Sequence, residues 1–254
     1  MSIERWIFQR NGSQPDPPWG IKMGAGELLL LSQTGDSPTK PMPPRRLPKT
    51  LVEGYRRFLR DRHAPERARC RQLAEFGQAP TAMVIACCDA RLDVSTVFDA
   101  GPGMLFIVRN VANLVPPYEA EGKYHGTSAA IEFAVRELKV PDLIVLGHSR
   151  CGGIAAYLQT AKEQAVPEQS FVGGWLALLD DVKVIESDVA FGSEVAFEFA
   201  AIRSSLTNLR TFPFVREREE DGLLDLHGLH FDLASGQVVV LEETSGQFEA
   251  LNTA

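Results

Sequence analysis

Cys87, His148 and Cys151 are the residues of this 254-residue chain whose types and spacing point most directly to chemistry. Cys87 closes the apolar run Ala82-Met83-Val84-Ile85-Ala86, and His148-Ser149-Arg150-Cys151 follows the apolar run Leu143-Ile144-Val145-Leu146-Gly147. Two thiolates and one imidazole make a ligand set for zinc. Three protein ligands leave the fourth tetrahedral position to water or a reacting group, as in catalytic sites, whereas four mark a structural site. Asp89 and Arg91 alternate with Cys87. If that segment stays extended, the three side chains face one way and the carboxylate meets the guanidinium. A charged pair beside a strand-end thiol is costly to bury unless it serves a purpose.

The elements that must position these residues follow from the apolar pattern. Both runs are short and continuously apolar, which predicts strands buried on both faces of a parallel sheet, whose carboxyl ends form a ligand crevice. Met104 to Val108 reads as another such strand, ending at Arg109-Asn110. Between the strands, Asp93 to Phe98 predicts a short helix, and Thr127 or Ser128 is expected to cap a helix running to Leu138. A helix from Ile154 to Thr160 follows Gly152 and Gly153, whose N–H groups are placed to face an anion. Trp175–Ile185 and Val195–Leu209 read as amphipathic helices. Leu223–Leu233 and Val238–Leu241 read as strands of an antiparallel hairpin turning at Ser235-Gly236. Helical spacing of Leu51, Tyr55, Phe58, Leu59, Leu73 and Phe76 predicts two helices between Leu47 and Phe76. The fold expected is α/β, a central mostly parallel β-sheet flanked by helices, with an N-terminal helical arm. Residues 1–45, rich in proline, are expected to be a disordered or extended leader, and residues 46–254 one domain.

Composition narrows the function classes. A net charge of -7 argues against a general nucleic-acid binder. The positive charge gathered at Arg56, Arg57, Arg60, Arg62, Arg67, Arg69 and Arg71 reads as a solvated helix face or an oligomer contact. No apolar stretch reaches the about 18 residues of a membrane span, and the start lacks a secretory pattern, so a cytoplasmic protein is expected. Adjacent Cys87 and Cys88, with Cys151 in a His-x-x-Cys, suit thiolates in a reducing compartment better than disulfides; Cys70 reads as a bystander.

Cys87-x-Asp89-x-Arg91 followed by His148-x-x-Cys151-Gly152-Gly153 resembles the signature of the β-carbonic anhydrases. The likeness extends to Arg109-Asn110-Val111-Ala112-Asn113, to Gly126 through Ala134 and to His227-Gly228 through Gly236, and covers about Leu47 to Glu243. It implies zinc-dependent reversible hydration of carbon dioxide to bicarbonate and a proton by attack of zinc-bound hydroxide. Cys87, His148 and Cys151 would be the metal ligands, with Asp89 and Arg91 as the catalytic dyad. The resemblance further implies a substrate pocket drawn from Gln78, Phe106, Val108, Phe133 and Gly152, completed by a neighbour in a homodimer or a higher multiple of dimers. Val84, where members with a noncatalytic bicarbonate site carry tryptophan, points to a plant-type site; Phe133 stands where that type usually has tyrosine, and Cys88 where serine or methionine is more usual. The motif leaves open whether Asp89 rests on Arg91 or on the metal. His125 and His227 are proton-shuttle candidates by chemistry alone. Other readings stay open: a hydrolase of carbon disulfide or carbonyl sulfide on the same scaffold, a zinc-held binding protein without turnover, or redox chemistry at Cys87 and Cys88.

Overall fold

The computed structural model describes residues 47–121, 125–163 and 170–251; the leader expected over residues 1–45 lies outside them. β1 (Ala82–Cys87) is buried at every position, as a continuously apolar strand covered on both faces must be. It lies between β2 (Leu105–Asn110) and β3 (Asp142–His148), parallel to both. β4 (Asp225–Phe231) pairs parallel with β3, and β5 (Val238–Leu241) and β6 (Phe248–Ala250) complete the sheet as antiparallel strands in the order β2-β1-β3-β4-β5-β6. Registers align the carboxyl ends: Ala86 faces Leu146, Cys87 faces Asn110, and His148 faces Phe231. One rim of the sheet therefore carries both sequence motifs.

Helices cover both faces. α1 (Lys49–Arg57) and α2 (Ala64–Phe76) form a continuous rod through a π-helical stretch, Phe58–His63. Neither helix buries a residue, and Leu51, Tyr55, Phe58 and Leu59 leave their apolar side chains exposed. α3 (Val94–Val97) starts at Asp93, whose carboxylate accepts from the Ser95 N–H. α4 (Gly126–Glu132), α5 (Gly152–Glu163), α6 (Phe171–Leu176), α7 (Ser193–Leu209) and α8 (Pro213–Glu220) follow. Met83, Ile85, Leu143 and Val145 pack on one face with Ile131 of α4, Ile202, Leu206 and Leu209 of α7, and Val215 of α8. Val84, Ala86 and Leu146 pack on the other with Val94, Ile154 and Leu176. Alternate residues of each strand thus feed two cores.

α7 lies deepest because the sheet makes room for it. A Cβ at Gly147 would stand 2.7 Å from Cδ1 of Ile202, and one at Gly228 would stand 2.9 Å from its Cγ2. Glycine on two adjacent strands forms a notch that Ile202 fills completely, at 0% exposure. Behind the notch, Arg203 pairs with the buried Asp188, donates to the Gly246 carbonyl and covers the Phe248 ring, which ties the β5–β6 turn to the helix.

Several sequence expectations change. The helix beginning at Gly126 has no side-chain cap; the Thr127 hydroxyl is instead engaged by Asn110 Nδ2. The helix expected over Trp175–Ile185 is α6 followed by a single 3₁₀ turn, Ala177–Leu179; Asp180 and Asp181 come next and favour a turn. The strand expected over Leu223–Leu233 is shorter, Asp225–Phe231, and β6 was not expected. At the hairpin, the Asp232 carboxylate accepts from the Ala234 and Ser235 N–H groups, which also draws its pKa down to about 2.

Filling the notch should strain the core. Gly147→Ala is expected to destabilise by about 1–3 kcal/mol, the usual penalty for overpacking, and Ile202→Val in the same chain should recover part of it. A denaturant-unfolding cycle over both single variants and the double variant checks the coupling.

Candidate metal centre

Cys87 ends β1 and His148 ends β3, so adjacent parallel strands deliver their side chains to the same rim. Cys151 sits at the start of α5, one turn after His148. The three ligand atoms lie within 4.8 Å of one another and all three residues are buried. The sulfurs are 3.8 Å apart, the separation that two thiolates about 2.3 Å from one tetrahedral zinc would have. His148 Nδ1 lies 3.0 Å from the Ser149 carbonyl, to which it can donate. That leaves Nε2 as a lone pair, and it is buried without a hydrogen-bond partner. A buried orphan acceptor beside two thiols is the donor set of a metal site.

Electrostatics agree with that fit. The Cys151 thiol donates toward Cys87 and draws the Cys87 thiol down to about 4, against burial; His148 and the Asp89 and Ala112 N–H groups add to the pull. The same interaction, with burial, pushes the Cys151 thiol up, although the Gly153 and Ile154 N–H groups stabilise its thiolate. Burial disfavours a charged His148, but the Cys87 thiolate outweighs it and the net shift is upward. One negative charge is therefore easily held here, and a second needs a cation. The loop that follows β2 bends sharply to bring the Ala112 N–H in: Ala112 and Asn113 have left-handed φ of 62° and 49°.

Asp89 and Arg91 meet, but not along an extended strand. The chain turns after Cys87, and the Asp89 Oδ1 accepts both the Arg91 N–H and Nε, each at 2.9 Å, while Oδ2 accepts Nη2 at 2.7 Å. Arg91 therefore holds the Asp89 carboxyl well below the usual carboxylate range. Asp89 Oδ2 stands 4.0 Å from His148 Nε2, with both carboxylate oxygens engaged by Arg91. The carboxylate is beside the ligand set, not in it. Arg91 Nη2 also reaches the Arg150 carbonyl at 2.8 Å.

The other expected site residues are spread out. Gly152 opens α5 beside Cys151. Phe106 and Phe133 pack ring to ring with centroids 5.9 Å apart, and Phe106 and Val108 pair in register with Met83 and Ile85, short of the rim. Gln78 is exposed and precedes β1, at the opposite end of the strand from Cys87. His227 is paired with Asp142 at 2.8 Å near the start of β3 and β4, and His125 precedes α4. Cys88 points out to solvent while Cys87 is buried.

The sequence profile described as carbonic anhydrase matches residues 82–238. This chain belongs to the β-carbonic anhydrase family. A carbonic anhydrase of Pseudomonas aeruginosa is 36% identical over 207 residues, 80% of this chain and 91% of that protein. β-Carbonic anhydrase 5 of the Arabidopsis thaliana chloroplast is 39% identical over 160 residues, 61% of this chain and 52% of that one. Among solved structures, the β-carbonic anhydrase CcaA superposes with a TM-score of 0.69 at 30% identity over 80% of this chain and 98% of its own.

Three residues of this β-carbonic anhydrase site were not picked out as functional from sequence. Arg109 fastens the segment after Cys87, donating to the carbonyls of Cys87, Asp89 and Leu92. Glu198 of α7, 2% exposed, accepts the Cys151 N–H at 3.0 Å and contacts His230 Nε2 of β4 at 2.9 Å. A single acid inside Val195-Ala196-Phe197-Glu198-Phe199-Ala200-Ala201-Ile202 was a legible signal: it lies among apolar residues one turn away on either side.

Because Cys151 keeps its proton until a cation displaces it, metal affinity should rise with pH. The Cys151 proton alone gives about a tenfold gain per pH unit between about pH 6 and 8, and the His148 ring, its pKa raised beside Cys87, steepens the lower end of that range. Chelator-competition titrations at fixed ionic strength measure the slope; a flat profile would contradict the shared-proton description. His148→Ala should reduce bound metal from one per chain to a small fraction, read by elemental analysis.

Proposed function

We propose that this β-carbonic anhydrase is a zinc enzyme that interconverts carbon dioxide and bicarbonate through Cys87, His148 and Cys151. The observation that carries the reading is the orphaned His148 Nε2, aimed into a pair of thiols beside a carboxylate that Arg91 holds charged. Zinc bound there would act as a Lewis acid, lowering the pKa of a water toward neutrality and so providing the nucleophile. Asp89, ionised and acceptor-only, would accept a hydrogen bond at Oδ2 from the O–H of a water held there and so orient its lone pair toward carbon dioxide. Arg91 keeps Asp89 charged and, through the Arg150 carbonyl, keeps it off the ligand set.

The pocket residues support an assembly reading. β1 spans about 17 Å at strand rise, so Gln78 at its foot reaches the rim of its own chain poorly. We read Gln78, Phe106 and Phe133 as completing the pocket of a second copy, with Val108 and Gly152 at the same cleft. The exposed apolar face of α1 and the π-helical stretch after it, with Leu51, Tyr55 and Phe58, gives that copy a surface to hold. A Sordaria macrospora relative, 28% identical with a TM-score of 0.60 over 80% of this chain and 95% of its own, is a tetrameric β-carbonic anhydrase. We therefore read this protein as a dimer or a multiple of dimers. Residues 46–254 are read as the catalytic domain and residues 1–45 as a leader. Among the described residues no helix is long and apolar enough to cross a membrane, and a cytoplasmic place fits its reduced thiols.

Asp89→Asn keeps the shape of the carboxylate but gives up its charge. Stopped-flow carbon dioxide hydration should fall by about 100-fold with zinc content unchanged; equal turnover in the variant would remove Asp89 from the mechanism. Light scattering on the eluting protein should give twice the chain mass or a multiple of that, and an active monomer would defeat the assembly reading.

A further inference from the structure

The peptide group joining Arg150 to Cys151 is gripped from both sides. Its carbonyl oxygen accepts Arg91 Nη2 at 2.8 Å, and its N–H donates to Glu198 Oε1 at 3.0 Å. A cation on the oxygen and an anion on the hydrogen both follow the dipole of the peptide, so each bond strengthens the other. The grip falls between two of the ligands, and Arg150 holds a left-handed φ of 56° there, a conformation that a non-glycine residue keeps only when its surroundings impose it.

Glu198 is itself fixed. Its second oxygen meets His230 Nε2 at 2.9 Å, both side chains are at most 5% exposed, and the His230 ring stands edge-on to Phe199 at 5.0 Å. A brace needing only to join α7 to β4 would have no reason to commit one carboxylate oxygen to the backbone of a ligand. The end of β4 and the residues just after it add two more ties to the same turn: Ser149 N–H donates to the Phe231 carbonyl, and Leu233 N–H donates to Ser149 Oγ. The Gly153 and Ile154 N–H groups are left to the Cys151 sulfur.

We infer that Glu198 and His230 are positioning residues of the metal centre, orienting the Arg150–Cys151 peptide so that the Cys151 sulfur and the Asp89–Arg91 pair keep their places together. The inference rests on the metal-centre reading given under the proposed function.

The test uses full-length protein loaded with cobalt(II), whose thiolate charge-transfer band reports sulfur geometry, together with chelator competition for affinity. Glu198→Gln retains an acceptor for the Cys151 N–H but gives up the charge, and should lose much less than Glu198→Met in both readouts. Glu198→Met removes it and should weaken cobalt binding by about tenfold or more, with a shifted charge-transfer band. If the Met variant does not fold, His230→Phe decides: it strips Glu198 of its second partner and should shift the same band. An unchanged band and affinity in the deciding variant would overturn the inference, as would equal losses in Gln and Met. Wild-type protein that takes up no cobalt would instead sink the metal-centre reading itself.

Discussion

Two sulfur atoms 3.8 Å apart in a buried site cannot both carry charge without a cation, and the rest of the rim is arranged around that constraint. Several of the polar groups nearby supply positive potential to a sulfur, and others keep negative potential at a fixed distance. The Asp89 and Ala112 N–H groups serve Cys87, and the Gly153 and Ile154 N–H groups serve Cys151. Arg91 neutralises Asp89, so a third anion stands within reach of the cluster without adding a full charge to it. Ionised, hydrogen-bonded thiolates paired with a neutral imidazole are the form that a borderline-soft divalent metal binds.

Backbone geometry does much of this work. The left-handed Ala112, Asn113 and Arg150 turn N–H and carbonyl groups toward the cluster instead of along a ladder. Such conformations persist only where neighbours over-determine them, and the neighbours are named: Trp175 on the Val111 carbonyl and Asn110 on the Leu114 carbonyl, to either side of Ala112 and Asn113, and Arg91 and Glu198 on the peptide before Cys151. The parallel sheet supplies coarse placement, and these polar ties supply the last ångström.

The coarse layer was readable from residue order. Continuous apolar runs predicted β1, β2 and β3, and the motifs at their ends predicted which side chains share the rim. The finer layer was not, for a physical reason in each case. Alternation suggested that Cys87, Asp89 and Arg91 share a face of an extended segment, yet the Asp89 carboxylate accepts the Arg91 N–H and makes a turn, because aspartate competes for nearby backbone donors. The caps expected from Thr127 and Ser128 failed because the helix already begins at Gly126, which places both inside its first turn, where Asn110 of another element engages the Thr127 hydroxyl. Glu198 joins partners 47 and 32 residues away, a separation that no local pattern encodes. Gln78 and Phe133 carry a family likeness, but a single chain sets Gln78 at the foot of its own strand and Phe133 on a helix face.

The glycine notch under α7 gauges depth for a group that it never touches. Ile202 seats on Gly147 and Gly228, and Glu198 lies one helical turn away on the same side. That turn advances about 6 Å along the helix, and the two residues from Gly228 to His230 advance about 6.6 Å along β4. Helix and strand therefore keep step, and the carboxylate arrives beside His230 only while Ile202 is fully seated. A single methyl group added to the floor would lift the helix by a fraction of an ångström, most of the slack that a 3.0 Å hydrogen bond to Cys151 allows. Packing deep in the sheet thus acts as a spacer for polar chemistry at its rim, which ties the freedom to repack this core to the tolerance of the centre above it.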